Sequence, residues 1–387
     1  MAEIQDGRVR VMRIIARMNV GGPAVQVSGL MRGFDSTKFD QKLITGFCGP
    51  DEADYLETNA TDITATRIKG LGRSISPTAD FQAFREVVRE IRVFRPHVIH
   101  THTAKAGVIG RVASLVSRHK SVRVHTYHGH LLHGYFGKFK TTLVIIIERT
   151  LGLFTTKLLA VGKKVMEDLL AAGIGTPKKF GVMPPGLQLA SLPTREQACS
   201  ALKLDPSLRY CAFIGRITKI KRPDRFLDVV AKLRGEGSNL HFIVAGAGDL
   251  LDSCKERSAK EDLPIIFLGW RDDVETVLAA SDLVLLTSDN EGTPLSLIQA
   301  GMANLPIVAT NVGSISEIIV DGETGFLTDL STASLAESVT KLISSNPLME
   351  EMGRKAYEYT TNRYGVERLV RDHEELYKKL LSDRARS

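Results

Sequence analysis

The chain has 387 residues, 43% of them hydrophobic and 25% charged, with a net charge of +7. At roughly 150 residues per domain this is material for two globular domains with sizeable cores; it excludes a disordered, collagenous or disulfide-stapled chain. The four cysteines, Cys48, Cys199, Cys211 and Cys254, are scattered with no Cys-x-x-Cys, so neither a disulfide framework nor a thiolate metal site is expected, and a reducing cytoplasm fits.

Charges interrupt the first twenty residues before an apolar run of signal-peptide length forms, so no secretion signal is read there. Buried-type strands are predicted at 9–15, 42–46, 97–101, 122–126 and 158–161. Amphipathic helical patterns separate them, as at 81–94. The longest apolar stretch, 142–154, contains Glu148 and Arg149 and is too short to span a bilayer. Met183-Pro184-Pro185-Gly186 breaks the rhythm, and a linker is placed near 185–195. A second series follows, with strands at 210–214, 241–245, 265–268, 283–287 and 306–309 and helices at 225–233 and 295–302. Such alternation means parallel, doubly wound α/β sheets. The expected domains are 1–190, 191–365, and a final helix in 366–387 that packs back on the first domain.

Charge is divided unevenly. Residues 1–190 hold 27 Lys+Arg against 15 Asp+Glu, or +12, and the remainder holds 24 against 29, or −5. A basic half suits an anionic partner. No nucleic-acid-binding motif is present, so nucleic acid is not expected. Tyr135-Phe136-Gly137-Lys138-Phe139-Lys140 interleaves aromatics with cations and suits an anionic membrane surface.

Four segments could carry chemistry. Gly21-Gly22 follows the first strand and precedes a helix, where paired glycines let a phosphate approach the backbone. It is not Gly-x-Gly-x-x-Gly, and a plain strand–helix turn explains it equally well. Eight of the ten histidines lie between His97 and His133. Histidines two apart on a strand point the same way and lack the spread of ligands a metal needs, so no metal is assigned. His128, at a strand end beside Gly129, is the histidine suited to line a cleft. Gly215-Arg216, with Lys219, Lys221 and Arg222, puts four cations in seven residues at a strand–helix junction, which suits a diphosphate. Glu291-Gly292-Thr293-Pro294-Leu295 ends a loop at a helix start, where Glu291 could hold a sugar hydroxyl and the amides would face a ligand. No Asp-x-Asp occurs in the chain, so Arg216, Lys221 and helix N-terminal amides would have to neutralise a diphosphate without a divalent cation.

In order, these segments resemble glycosyltransferase family 4, the retaining group 1 glycosyltransferases, over nearly the whole chain. Gly21-Gly22 looks like the family's glycine loop. The run from His97 through His100, His102 and Lys105 to Gly107 looks like its strand-four signature, and Thr126-Tyr127-His128-Gly129 resembles its His-Gly element. Gly215-Arg216 with Lys221 matches its diphosphate grip, and Phe267-Leu268-Gly269-Trp270, Gly313-Ser314 and Asp321-Gly322 match in kind. The resemblance implies a GT-B fold: two Rossmann-like domains with parallel sheets facing a central cleft, the first on the acceptor side and the second on the nucleotide-sugar side. It implies His128 and Glu291 as catalytic, and Gly21, Gly22, Arg216, Lys221, Gly292, Thr293, Pro294, Leu295 and Gln299 as donor-binding.

The sequence departs from the family pattern at three points. The second acid, which holds the donor ribose in the family, reads Gln299; the usual serine before the interdomain helix reads Gly162; and the usual Asn-Gly near the linker reads Pro185-Gly186. The implied reaction is retaining, metal-independent transfer of a hexose or N-acetylhexosamine. The donor is a nucleotide-diphosphate sugar, with UDP favoured over GDP or ADP. The acceptor is a glycan or lipid-linked glycan in surface polysaccharide synthesis, handled in the cytoplasm or at the inner face of the membrane. A nucleotide-sugar epimerase and a non-catalytic nucleotide-binding protein share the architecture and stand as alternatives. No cofactor is expected.

Overall fold

A computed structural model describes residues 7–50, 52–129 and 138–386, with the side chains of 138–140 excepted. The aromatic and cationic side chains of Tyr135–Lys140 lie outside this description. The chain divides into two units, Met1–Leu187 with Tyr364–Ser387, and Gln188–Arg363.

The first unit is built on β1 (Val9–Ile15), β2 (Phe39–Thr45), β3 (Ala65–Arg67), β4 (Val98–His102), β5 (Val122–Tyr127), β6 (Lys157–Ala160) and β7 (Phe180–Val182), in the order β3-β2-β1-β4-β5-β6-β7. All the ladders are parallel. Val11, Met12, Ile14 and Ile15 of β1 are completely buried on alternating faces, which a half-solvated antiparallel strand would not allow. One sheet face also buries ionisable side chains: Arg13, His100 and His102 have no exposed surface.

That face is covered by the helices Gly22–Gly33 and Val366–Arg386. Leu369, Val370 and Tyr377 of the C-terminal helix join Val11, Leu30, Phe34, Val98 and Val122 in one core. Each such side chain contributes on the order of 2 kcal/mol when fully buried. The helices approach closely because Gly29 and Gly33 carry no side chain. A methyl at Gly33 would stand 2.3 Å from a Val370 methyl, and one at Gly29 would stand 2.9 Å from a Val366 methyl.

The second unit carries β8 (Tyr210–Ile214), β9 (His241–Ala245), β10 (Ile265–Gly269), β11 (Leu283–Leu286), β12 (Ile307–Thr310) and β13 (Gly325–Thr328), in the order β10-β9-β8-β11-β12-β13, again parallel. Phe226 sits at its centre, edge-on to Phe213 at 5.2 Å and to Phe242 at 5.8 Å. The sheet reverses direction of growth between β8 and β11, so the loops after those two strands lie side by side at a topological switch point, where doubly wound sheets bind ligands.

Strands β3, β7 and β13 have no counterpart in the sequence reading. They are three or four residues long, too short to show a period.

Candidate active site

In the second unit, the chain leaves β8 at Gly215 and makes a single tight turn over Lys219–Lys221. The left-handed Arg222 (φ 52°) then resets its direction, and Pro223 opens the helix Pro223–Gly235. The turn lies against the loop after β9. A methyl at Gly246 would stand 1.9 Å from the Gly215 carbonyl oxygen, so the backbones touch and only glycine fits.

The segment after β11 is sewn to this loop. Thr287 Oγ1 donates to the carbonyls of Lys221 at 3.1 Å and Arg222 at 3.0 Å, and the Asp289 amide donates to Ile220 O at 2.9 Å. Asp289 also pairs with Arg222 at 3.1 Å and Arg225 at 2.8 Å. The result brings the two expected donor-site elements together: Lys221 Nζ is ion-paired with Glu291 Oε1. Ser288 Oγ donates to the same oxygen at 2.6 Å. Behind Glu291, Gly313 (φ 57°) would put a methyl 1.8 Å from the Glu291 carbonyl oxygen, and the Ser314 amide donates to that oxygen at 3.3 Å. Glu291 is therefore held from both ends.

The four cations divide into three kinds. Arg222 is committed to Asp224 and Asp289, so it stiffens the loop and is not available to an anion. Lys221 is shared with Glu291. Arg216 and Lys219 are exposed and have no acidic partner among the described residues. Among the described residues the Gly292 and Thr293 amides make no hydrogen bond, and Thr293 Oγ1 and Ser314 Oγ are buried without a partner. Pro294 caps the helix Leu295–Met302. Gln299, on that helix, is half-buried, and its side chain makes no hydrogen bond with described residues. A cation, a fixed carboxylate, free amides and unpaired hydroxyls on adjoining loops can together bind a diphosphate and orient a polar group attached to it.

In the first unit, Gly21 precedes the helix Gly22–Gly33. A methyl on it would meet only Asn19 O, at 3.9 Å, so the approach to this backbone is open. The loop is braced by Val20 N to Ala53 O at 3.1 Å and Tyr55 N to Met18 O at 2.7 Å. His128 follows β5 and is half-buried; burial pushes its imidazole down to about 4, so it is neutral at pH 7. Its Nε2 lies 2.9 Å from His102 Nδ1.

The described histidines of the rich stretch are dispersed. His100, His102 and His128 share one sheet face, and His125 lies on the other, bonded to Thr101 Oγ1 at 2.8 Å. His97 and His119 tie down loops through the Arg10 amide and Pro96 O. No three His, Cys, Asp or Glu side chains converge among the described residues. Sequence reasoning missed Ser288 and His102 as partners of Glu291 and His128. Ser288 stands three residues before Glu291 in the sequence, and that spacing was the available signal.

Two parallel doubly wound sheets, one with a cationic loop and a carboxylate-bearing loop at its switch point, define the class of GT-B glycosyltransferases. "Glycosyltransferase Family 4" matches residues 20–191 and "Glycosyl transferases group 1" matches residues 195–359; the chain belongs to this glycosyltransferase family. It is 25% identical over 356 residues to the UDP-Gal:alpha-D-GlcNAc-diphosphoundecaprenol alpha-1,3-galactosyltransferase of Escherichia coli, covering 88% of this chain and 89% of that protein. It is 21% identical over 350 residues to the capsular polysaccharide biosynthesis glycosyltransferase CapM of Staphylococcus aureus, covering 86% and 89%. Anabaena HepE in complex with UDP shares its fold, with a TM-score of 0.79, 18% identity and coverage of 96% of this chain and 100% of that one.

Proposed function

We propose that this glycosyltransferase moves a hexose or N-acetylhexosamine from a UDP-sugar to a lipid-linked glycan acceptor, with retention of anomeric configuration and without a divalent cation. The observation that carries the reading is the Lys221–Glu291 pair, which joins the diphosphate loop and the sugar-orienting loop into one preorganised site. The second unit takes the donor and the first the acceptor. Arg216, Lys221 and the amides of Gly292, Thr293 and Leu295 bind the diphosphate and stabilise the charge it gains as the glycosidic bond breaks. The leaving diphosphate accepts the acceptor's proton on the face from which it departs, which gives retention. Glu291 orients the sugar, and the family resemblance gives His128 a hydrogen bond to it. A lipid-linked acceptor is supported by the Escherichia coli relative, which acts on a diphosphoundecaprenol substrate.

Contact with the inner face of the membrane is part of this proposal. The helix Lys138–Phe154 exposes Leu143, Ile146, Leu153 and Phe154 along one stripe. Its one acid, Glu148, is buried and paired with Arg111, while Arg123 and Lys179 cap its C-terminal carbonyls. No helix among the described residues is long and apolar enough to cross a membrane.

The test is incubation with UDP-galactose, UDP-glucose and UDP-N-acetylglucosamine, alone and with bacterial lipid extract. An acceptor-dependent product with an α linkage by NMR is expected. Conversion of the donor without any acceptor would identify an epimerase. Binding of UDP with no turnover would identify a nucleotide-binding protein.

A further inference from the structure

The buried polar face of the first sheet leads to His128. Tyr377, from the C-terminal helix, hydrogen-bonds His100 Nδ1 at 2.6 Å, and His100 Nε2 hydrogen-bonds Thr126 Oγ1 at 2.7 Å. The rings of His100 and His102 stack at 4.3 Å, and His373 stacks on the far side of His100 at 5.6 Å. His102 then meets His128 at 2.9 Å through its Nδ1. His102 is wholly enclosed, and its Nε2 is buried with no partner among the described residues.

A hydrogen bond between two neutral imidazoles contains one proton, and there are two ways to place it. If His128 Nε2 carries it, His102 must carry its own proton on Nε2, leaving a buried N–H with no acceptor. If His102 Nδ1 carries it, His102 Nε2 is a bare lone pair. The surroundings choose between them. The Arg13 guanidinium stands close enough for its charge to oppose a proton on His102. Positive potential there favours the lone pair over the N–H, and an orphaned N–H is the rarer defect in folded interiors. His102 is thus the donor. His128 Nε2 is consumed as acceptor, and the remaining proton of His128 sits on Nδ1, which has no partner among the described residues.

We propose that His102 is a positioning residue that fixes His128 as its Nδ1–H tautomer, so that His128 offers the substrate a neutral hydrogen-bond donor and not a base. The ligand atom it takes is an acceptor: a sugar hydroxyl, ring or phosphate oxygen. The inference rests on the reading, from the family resemblance, of His128 as a residue that hydrogen-bonds the transferred sugar. It places the helix that carries Tyr377 and His373 behind the chemistry, through the His100–His102 stack.

The experiment uses the full chain labelled with 15N-histidine, with His128 assigned from the signals lost in His128→Ala. Long-range 1H–15N spectra should show His128 protonated at Nδ1. UDP release from UDP-sugars is measured in parallel. His102→Leu should cost on the order of tenfold or more in kcat, as loss of a group that orients a site residue does, with UDP affinity unchanged. His102→Asn, whose amide places an N–H near the Nδ1 position, should recover most of that loss. A wild-type His128 protonated at Nε2 overturns the proposal. So does an unimpaired His102→Leu, or a His102→Asn as poor as the leucine variant, because either outcome leaves no role for the donor. Normal turnover in His128→Ala would instead remove the reading of His128 itself. If His102→Leu does not fold, the tautomer spectrum and the asparagine variant decide.

Discussion

Lys221 and Glu291 lie 70 residues apart in sequence and form one ion pair, with Ser288 Oγ as a second donor to the same carboxylate oxygen. The pair is mostly buried: 14% of the lysine side chain and 10% of the glutamate side chain are exposed. A ligand phosphate would compete with Glu291 for Lys221, so donor binding and release of the Glu291 carboxylate toward the sugar are coupled. Glu291→Gln keeps the shape and the Ser288 bond but removes the charge. Turnover should fall about 100-fold, the scale for one preorganised polar group, and the melting temperature should fall modestly because the Lys221 charge is left uncompensated while the shape is kept. Lys221→Ala should weaken UDP binding more than uridine binding and lower the melting temperature as well, since it strands the Glu291 carboxylate. Near-normal turnover in Glu291→Gln removes that residue from the site.

Arg216 differs from Lys221 because it has no acidic partner among the described residues to lose. Arg216→Ala should leave the melting temperature of the free protein unchanged and weaken UDP about tenfold, the scale of one charge-assisted contact. EDTA should leave this enzyme's activity largely intact. Loss of activity in EDTA, restored by magnesium or manganese, would overturn the metal-independent reading.

The strand–helix junctions that carry the candidate site were legible in the sequence and the wiring between them was not. The apolar runs of β1, β4, β5, β8, β9, β11 and β12 mark themselves because they are buried on both faces. Gly215-Arg216 and Glu291 were legible because cations and a carboxylate at strand ends have no place in a core. Arg13 and Tyr377 read as ordinary members of a strand and an amphipathic helix. Only the β4–β5 register, which pairs His102 with Thr126, places His102 beside His128 two residues on along the same face. Register is a property of the assembled sheet and has no local signature. The division of labour among the cations was hidden for the same reason: Asp289 claims Arg222 through a loop contact that sequence spacing does not encode.

The buried histidines make the first unit acid-sensitive. Burial lowers His100, His102, His125, His128 and His373; His128 titrates at about 4 and His373 at about 3. In the unfolded chain each takes up a proton near pH 6.5, and in the fold each refuses it. Their contribution is fully present above about pH 6.5 and is lost as the pH falls toward 4, at about 1.4 kcal/mol per pH unit for each proton of difference. The melting temperature should be flat from pH 8 to 7 and fall steeply below 6. His373→Leu should reduce the slope by about one proton. A flat profile down to pH 5 would show these imidazoles to be solvated.

Membrane contact is tested on the exposed face of the helix Lys138–Phe154. Flotation with anionic vesicles should retain the protein at low salt and release it as salt rises, each near-surface cation contributing about 1 kcal/mol. Leu143→Ser with Ile146→Ser should abolish flotation and leave the melting temperature unchanged, because both side chains are about half exposed, at 50% and 53%. Absence of salt-sensitive flotation in the wild type rules the contact out.

Gln299 occupies the position where the resembling family has its ribose-binding acid. It begins the second of its helix's two turns, half-buried, with its side-chain amide unengaged by described residues. Gln299→Glu should therefore tighten UDP modestly. A carboxylate accepts from both ribose hydroxyls, whereas the glutamine offers one acceptor and an NH2 group. A hydrogen bond to a charged group contributes roughly 1.5–3 kcal/mol against about 0.5–1.5 for a neutral one. The difference, about 1 kcal/mol, is about fivefold in dissociation constant. The helix N-terminus lies four residues back and favours a negative charge, which adds to the same sign. The opposing effect is Glu291: if it stands close enough, a second carboxylate raises the cost of ionising the new one. Its pairing with Lys221 reduces that cost before UDP binds and restores it once Lys221 turns to the phosphate. Titration of uridine and of UDP against both proteins separates the two effects. Tighter uridine and UDP together mean that the ribose contact dominates. Tighter uridine with weaker UDP means that the carboxylates interact through Lys221. Weaker uridine at an unchanged melting temperature means that the glutamine donor is used, and the ribose site would have to be redrawn around it.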